Sequence, residues 1–355
     1  MEEKTVASGR RNGALSMIKL IAAAAIVLAH VPFPGTLGKI WDVLVRFTVP
    51  FFCGVSGYYS FRVGVPRLQR QLKKIVNLAI LASTLYFAWD VIYRFVIRRK
   101  GLSKYLSDLL DVEVLARFVY IGENPFAGHL WYLSAMILIY IILILYSQFW
   151  DTPDKINYTP LYCVSTAGYL IQIALSIKFE SMEMQTSYLL YRYCLMNALP
   201  AFCIGLFLRQ YRARIVNNYG FTHGKAVRMI ALGIALTMLQ WYGIGTMSFP
   251  IGMIPVVIAI MLWATEERDL KPQSPSMKAF YICVEMCSTV VYVIHPLINR
   301  IIHNNSRMVP FFAQIRSRDY LYPLIILALS MLVGIVVSIL MYAIRKNRSA
   351  RSACS

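Results

Sequence analysis

The chain has 355 residues, of which 58% are hydrophobic and only 15% charged. A water-soluble domain of this size exposes far more charge, so the composition excludes an ordinary soluble fold and puts most of the chain in lipid. Nor does the net charge of +19 point to nucleic acid: the basic residues come in short clusters at the ends of apolar runs, as cytoplasmic loops of multi-span proteins do.

The first apolar run, residues 14–34, carries Lys19 and His30. At about 100° and 1.5 Å per residue, eleven steps return to within about 20° of the same stripe and climb about 16 Å. That is roughly half the hydrocarbon thickness. Ionisable groups inside a membrane helix are costly and tend to face a cavity or the bundle interior, so a polar path up this helix is expected. The simpler alternatives are a Lys19 stem that snorkels to the interface and a His30 that merely tolerates it. The run lacks a small-residue cleavage site and another span follows at once, so it reads as retained rather than as a signal peptide.

Further apolar runs follow at 41–59, 75–97, 130–149, 158–177, 188–208, 226–245, 249–264, 279–301 and 320–344. Each is near the ~20 residues a bilayer demands. The eighth is the weakest, being short and holding Pro250 and Pro255. The expected fold is all-α, a polytopic membrane helix bundle of about ten transmembrane helices. With the N-terminus in the cytoplasm, most Lys and Arg fall in cytoplasmic segments, so both termini are expected there. The third and ninth loops are more basic than external loops should be. The organisation read from this is a cytoplasmic tail at 1–13, one transmembrane domain at 14–345 and a cytoplasmic tail at 346–355, with no soluble domain attached.

Seven cysteines, an odd number with no CxxC pair, argue against a disulfide framework or a zinc site. Walker loop, dinucleotide fingerprint and HExxH are all missing, and no metal is expected. The topology puts His30, His129 and His295 at the outer ends of the first, fourth and ninth spans, where they could line one external vestibule or simply suit the interface. A neutral imidazole fits general-base work near neutral pH, taking the proton of a hydroxyl that attacks an acyl carbon. A cation such as Lys19 suits an anionic or carbonyl part of a ligand lying along the stripe. Gly54-Val-Ser56-Gly57 is not a GxSxG elbow, and close helix packing explains it better. Trp131 and Tyr132 sit where an interfacial aromatic belt belongs, or form the floor of a site.

Four motifs, in order and spread over nearly the whole chain, resemble the acyltransferase 3 family of membrane proteins. They are Lys19 with His30; Val49 to Tyr59 followed by the basic stretch Arg67 to Lys74; HLWYL from His129; and Ser288, Tyr292 and His295 in STVVYVIHP. The segment around VPFF and SGYY is also similar to the membrane domain of membrane-bound serine racemases, without a racemase domain here. The resemblance implies an O-acyltransferase in the plasma membrane of a bacterium, with membrane lipid around it. Its donor would be a cytoplasmic acyl-CoA, acetyl-CoA foremost, and its acceptor an extracytoplasmic glycan or other hydroxyl compound. It implies catalytic roles for His30 and Lys19. Substrate-binding roles would fall to Arg67, Arg70, Lys73, Lys74, His129, Trp131, Ser288, Tyr292 and His295. The family carries Arg where this chain has Lys19, and an ammonium keeps the charge but loses the planar bidentate fork. Two competing readings stay open. One is a carrier or binding module for a small solute, to which Gly233, Gly243, Gly245, Pro250, Gly252 and Pro255, with Gly224 just before, could lend broken helices. The other is a non-catalytic family member.

Overall fold

A computed structural model describes residues 12–99, 101–181, 194–245, 247, 249–265 and 274–354. Helices account for most of the described chain, and no strand occurs among the described residues. Eight helical stretches are long and apolar enough to cross a membrane: Gly13–His30, Gly35–Tyr58, Val65–Ile97, Gly128–Ser147, Thr159–Ile177, His223–Gly243, Pro275–Asn305 and Tyr322–Asn347. They coincide with eight of the expected apolar runs. The other two runs fall on Cys194–Tyr219, whose expected start near 188 lies outside the described residues, and on the 12-residue helix Met253–Ala264. The protein is an all-α polytopic membrane bundle.

Local chemistry sets the helix ends. Helix α1 (Gly13–His30) opens on Asn12, whose side chain accepts from the Leu15 amide at 2.9 Å, and it stops before Pro32 and Pro34. The second span departs from the continuous helix expected over 41–59. It starts earlier and comes in three pieces: α2 (Gly35–Leu44), a 3-10 turn at Val45–Phe47 and α3 (Thr48–Tyr58). Two features account for the break. Pro50 has no N–H to give the Arg46 carbonyl, and the Thr48 hydroxyl donates to the Val45 carbonyl at 2.7 Å. Then come α4 (Val65–Val91), α5 (Ser103–Leu109), α6 (Val112–Ile121) and α7 (Trp131–Ser147). Helices α5 and α6 occupy what reads in the sequence as a plain loop. Asp111 caps α6 by accepting from the Glu113 amide at 2.8 Å, and Gly122 closes it at a φ of 75°. The remaining helices are α8 (Thr159–Ser181), α9 (Cys194–Tyr219), α10 (His223–Ile244), α11 (Met253–Ala264), α12 (Pro275–Asn305), α13 (Pro310–Arg316) and α14 (Tyr322–Cys354).

The chain divides into two compact units, one holding the described residues up to Thr48 and from Ala259 onward, the other Val49–Ile258. In the first, α14 runs antiparallel to α12. The Tyr322 hydroxyl donates to Asn299 Oδ1 at 2.5 Å, and twelve residues further on Gly334 lies against Val291 and Cys287. In the same unit the Asn12 side chain donates to the carbonyl of Ala264, so α11 ends at the level where α1 begins.

In the second unit α3 and α7 run in the same direction: Phe52 packs on Tyr132, and eight residues along in both segments Ser60, just past the end of α3, lies 3.4 Å from the Tyr140 hydroxyl. Close packing at Gly54–Gly57 is borne out. A Cβ on Gly57 would collide with the backbone carbonyl of Phe202, and one on Gly205 with that of Gly54, so α3 and α9 touch backbone to backbone. Ser56 meanwhile donates to its own helix, to the Phe52 carbonyl at 3.0 Å. Gly57→Val is therefore expected to cost about 2 kcal/mol or more by overpacking, read as a lowered melting temperature in detergent.

Candidate active site

Within the first unit, the Lys19–His30 stripe of α1 meets a matching stripe on α12. Lys19 Nζ lies 3.6 Å from Glu285 Oε1. Further along the same two helices, the rings of His30 and His295 stand 5.1 Å apart, centroid to centroid. Residue numbers rise together on the two helices, so α1 and α12 are parallel, and the two contacts form rungs about 16 Å apart. The sequence-predicted residues Lys19, His30, Ser288, Tyr292 and His295 thus lie on one seam. On α12 the steps from Glu285 to Ser288, Tyr292 and His295 are three, four and three residues, which keep all four on one face.

His295 is fully buried while His30 is exposed at the end of α1. His295 Nδ1 lies 2.9 Å from the Val291 carbonyl. A carbonyl only accepts, so this nitrogen carries the hydrogen, and in the neutral ring Nε2 is the acceptor. Pro296, directly after it, gives no N–H to the Tyr292 carbonyl, which drops out of the backbone ladder beside the ring. Ser288 is buried and its hydroxyl donates to the Glu285 carbonyl at 2.8 Å, while Tyr292 is half-buried.

Glu285 is the member of the seam that sequence reasoning missed. The signal was there: a carboxylate ten residues before His295 inside an apolar run, much as Lys19 precedes His30 by eleven. The Ser16 hydroxyl, one turn before Lys19, lies 3.2 Å from Glu285 Oε1 and 3.0 Å from the Asn12 carbonyl, and its single hydrogen serves one or the other.

The other expected site residues belong to the second unit. Arg67, Arg70, Lys73 and Lys74 are exposed on the first turns of α4, with Arg70 Nε donating to the Pro66 carbonyl at 3.3 Å. His129 is buried in the 3-10 turn Gly128–Leu130, its ring edge-on to Tyr86 at 5.4 Å, and Trp131 opens α7 half-buried. Arg67 and Tyr86 are nineteen residues apart on α4, about 28 Å, so the basic turns and His129 stand at opposite ends of that helix. Between them lies a polar contact the sequence did not disclose. The buried Ser60 hydroxyl donates to the Ser56 carbonyl at 2.8 Å and sits 3.4 Å from Gln71 Oε1 and from the Tyr140 hydroxyl. Among the described residues no three His, Cys, Asp or Glu side chains converge as a metal site.

A sequence model of one family, described as an acyltransferase domain, matches residues 12–343. The chain belongs to the acyltransferase 3 family. Neither the curated proteins nor the solved structures yield a match. Membership makes this a multi-pass member of a membrane acyltransferase family. The acyltransferase 3 match spans both units, so the α1–α12 seam and the basic turns of α4 both lie inside it.

Proposed function

We propose that this protein is an O-acyltransferase of a bacterial plasma membrane, with both termini in the cytoplasm. It moves an acyl group, acetyl foremost, from cytoplasmic acyl-CoA to a hydroxyl of an extracytoplasmic acceptor such as a surface glycan. The observation that carries this reading is the seam itself: a basic residue and an imidazole on one stripe of α1, each meeting an ionisable partner on α12, in a chain of an acyltransferase family. Binding of the donor's phosphates is assigned to Arg67, Arg70, Lys73 and Lys74, and transfer of the acyl group to the Lys19–His30 stripe. His30 takes the proton of the acceptor hydroxyl as that oxygen attacks the acyl carbon. The C–S bond then breaks, a C–O bond forms, and the proton ends on the CoA thiol. Lys19 holds a carbonyl of the donor's arm about 16 Å short of His30; Ser288, Tyr292, His129 and Trp131 bind the substrates, and His295 binds the acceptor beside His30. No metal enters the scheme.

The deciding experiment incubates purified protein in liposomes with labelled acetyl-CoA and glycan acceptors. Transfer supports the reading; its absence, with uptake of labelled amino acids or sugars instead, replaces it with a carrier. The interrupted second span is the one observation on the carrier's side. Two of the glycines singled out for broken helices have another use, since a Cβ on Gly233 or Gly252 would collide with the carbonyl of the other, which makes them a packing contact. In the cell, deletion should remove one acetyl mass from a surface glycan. A triple change of Arg67, Arg70 and Lys74 to Ala removes three exposed cations at about 0.5 kcal/mol each. The donor KM should rise about tenfold with kcat held; an unchanged KM would move the phosphates elsewhere.

A further inference from the structure

The ninth loop is more basic than an external loop should be, and the structure gathers part of that charge in one place. Past His295, helix α12 runs about two more turns, roughly 12 Å, to His303 and ends at Asn305. Ser306 follows, its hydroxyl donating to the His303 carbonyl at 2.9 Å. The short helix α13 then brings Arg316 back, with Nη1 3.4 Å from that same hydroxyl oxygen. Arg307 lies in the turn between the two helices, and both guanidiniums act electrostatically on the His303 ring. His303, Arg307 and Arg316 are all exposed. Among the described residues neither arginine has a carboxylate partner, Asp319 between α13 and α14 included.

The last carbonyls of α12 favour one cation nearby. They do not account for a second beside the same ring, since two unpaired cations in one place repel. An anion between them turns that repulsion into attraction, and the planar guanidinium fork fits phosphate oxygens. We infer that Arg307, Arg316 and His303 form a binding site for a phosphate group carried by the acceptor. This rests on the acyl-transfer reading, in which the acceptor arrives from outside and meets His30 at the open end of the seam. His295 lies beside His30, so the cluster stands about 12 Å further out along α12 than the base. A phosphate held there leaves a hydroxyl further along the same molecule free to reach the imidazole. The acceptor class narrows accordingly to phosphate-bearing glycans.

The probe is labelled pyrophosphate, added to full-length protein in phosphatidylcholine nanodiscs. The variant with Arg67, Arg70 and Lys74 changed to Ala is the parent, which keeps the donor's cations out of the measurement. It should bind pyrophosphate saturably, and adding Arg307→Gln and Arg316→Gln should weaken that binding at least about tenfold. No binding by the parent, or equal binding after both changes, overturns the inference. The first of these needs neither arginine variant, and Arg307→Gln alone, expected to weaken binding severalfold, serves if the combined variant fails to accumulate. An anionic lipid headgroup offers the same chemistry, so the comparison is repeated with about a third of the lipid as phosphatidylglycerol. A difference between parent and variant that persists supports an acceptor's phosphate; one that vanishes gives the site to lipid and overturns the assignment. In liposomes, pyrophosphate should also raise the acceptor KM of acetyl transfer, and an unchanged KM detaches the cluster from the acceptor. Wild-type protein that acetylates nothing defeats the acyl-transfer reading and the acceptor role with it, whereas the binding comparison reads the anion site by itself.

Discussion

His30→Ala protein should insert and melt as wild type does while transferring acetyl at least about a hundredfold more slowly, the lower bound of what a positioned general base contributes. The two halves of that expectation have separate grounds. His30 ends α1 and is exposed, so truncating it opens no cavity in packed structure. An acceptor hydroxyl, by contrast, is a poor nucleophile unless its proton leaves as the oxygen attacks, and of the two imidazoles of the upper rung that of His30 is the exposed one. Initial rates in liposomes, with detergent melting curves on the same preparations, separate the two halves. A wild-type rate in His30→Ala protein would remove His30 from the chemistry.

The second large effect is expected at His295. Its ring is fully buried, fixed through Nδ1 to the Val291 carbonyl and tilted against His30 with 5.1 Å between centroids. With that hydrogen committed, the neutral ring holds one orientation, and a fixed ring beside the base fixes the base. A displacement of about 1 Å at a reacting group can cost about a hundredfold. His295→Leu, which fills much of the same volume, should therefore lower kcat about 10- to 100-fold and leave the donor KM within about twofold. A raised KM at full kcat would instead mark His295 as a plain binding contact. A variant that transfers at the wild-type rate would show that His30 needs no orienting partner.

The spans were legible because each is an apolar run of bilayer length with ordinary punctuation, as at Asn12 before α1 and Ser274 with Pro275 before α12. The break at Val45–Phe47 was not, since the run 41–59 reads as one span despite Asp42 and Arg46, and only Pro50 and the Thr48 hydroxyl betray it. Helices α5 and α6 escaped because polarity masked them, although Asp111 and Gly122 carry the signals of a capped helix. In the site, the α1 stripe followed from helix geometry alone, and the motif around His295 from family resemblance. Which helix α1 packs on does not follow from a pattern within either segment. Glu285 became interpretable only when the parallel packing of α12 brought it to Lys19.

That packing also carries a cost in time. Ser16 and Glu285, which meet across the seam, are 269 positions apart in the chain. At roughly 5–20 residues per second of synthesis, about 13 to 54 s separate their emergence from the ribosome. For that interval Lys19 and His30 are in or beside the bilayer before α12 exists to receive them. The first helix must therefore wait, shielded by water at the interface or by the insertion machinery, and the seam closes only when the ninth apolar run arrives. A chain terminated before that run would be left with an uncompensated cation in its first helix, a feature by which a membrane quality-control protease could tell it from the finished protein.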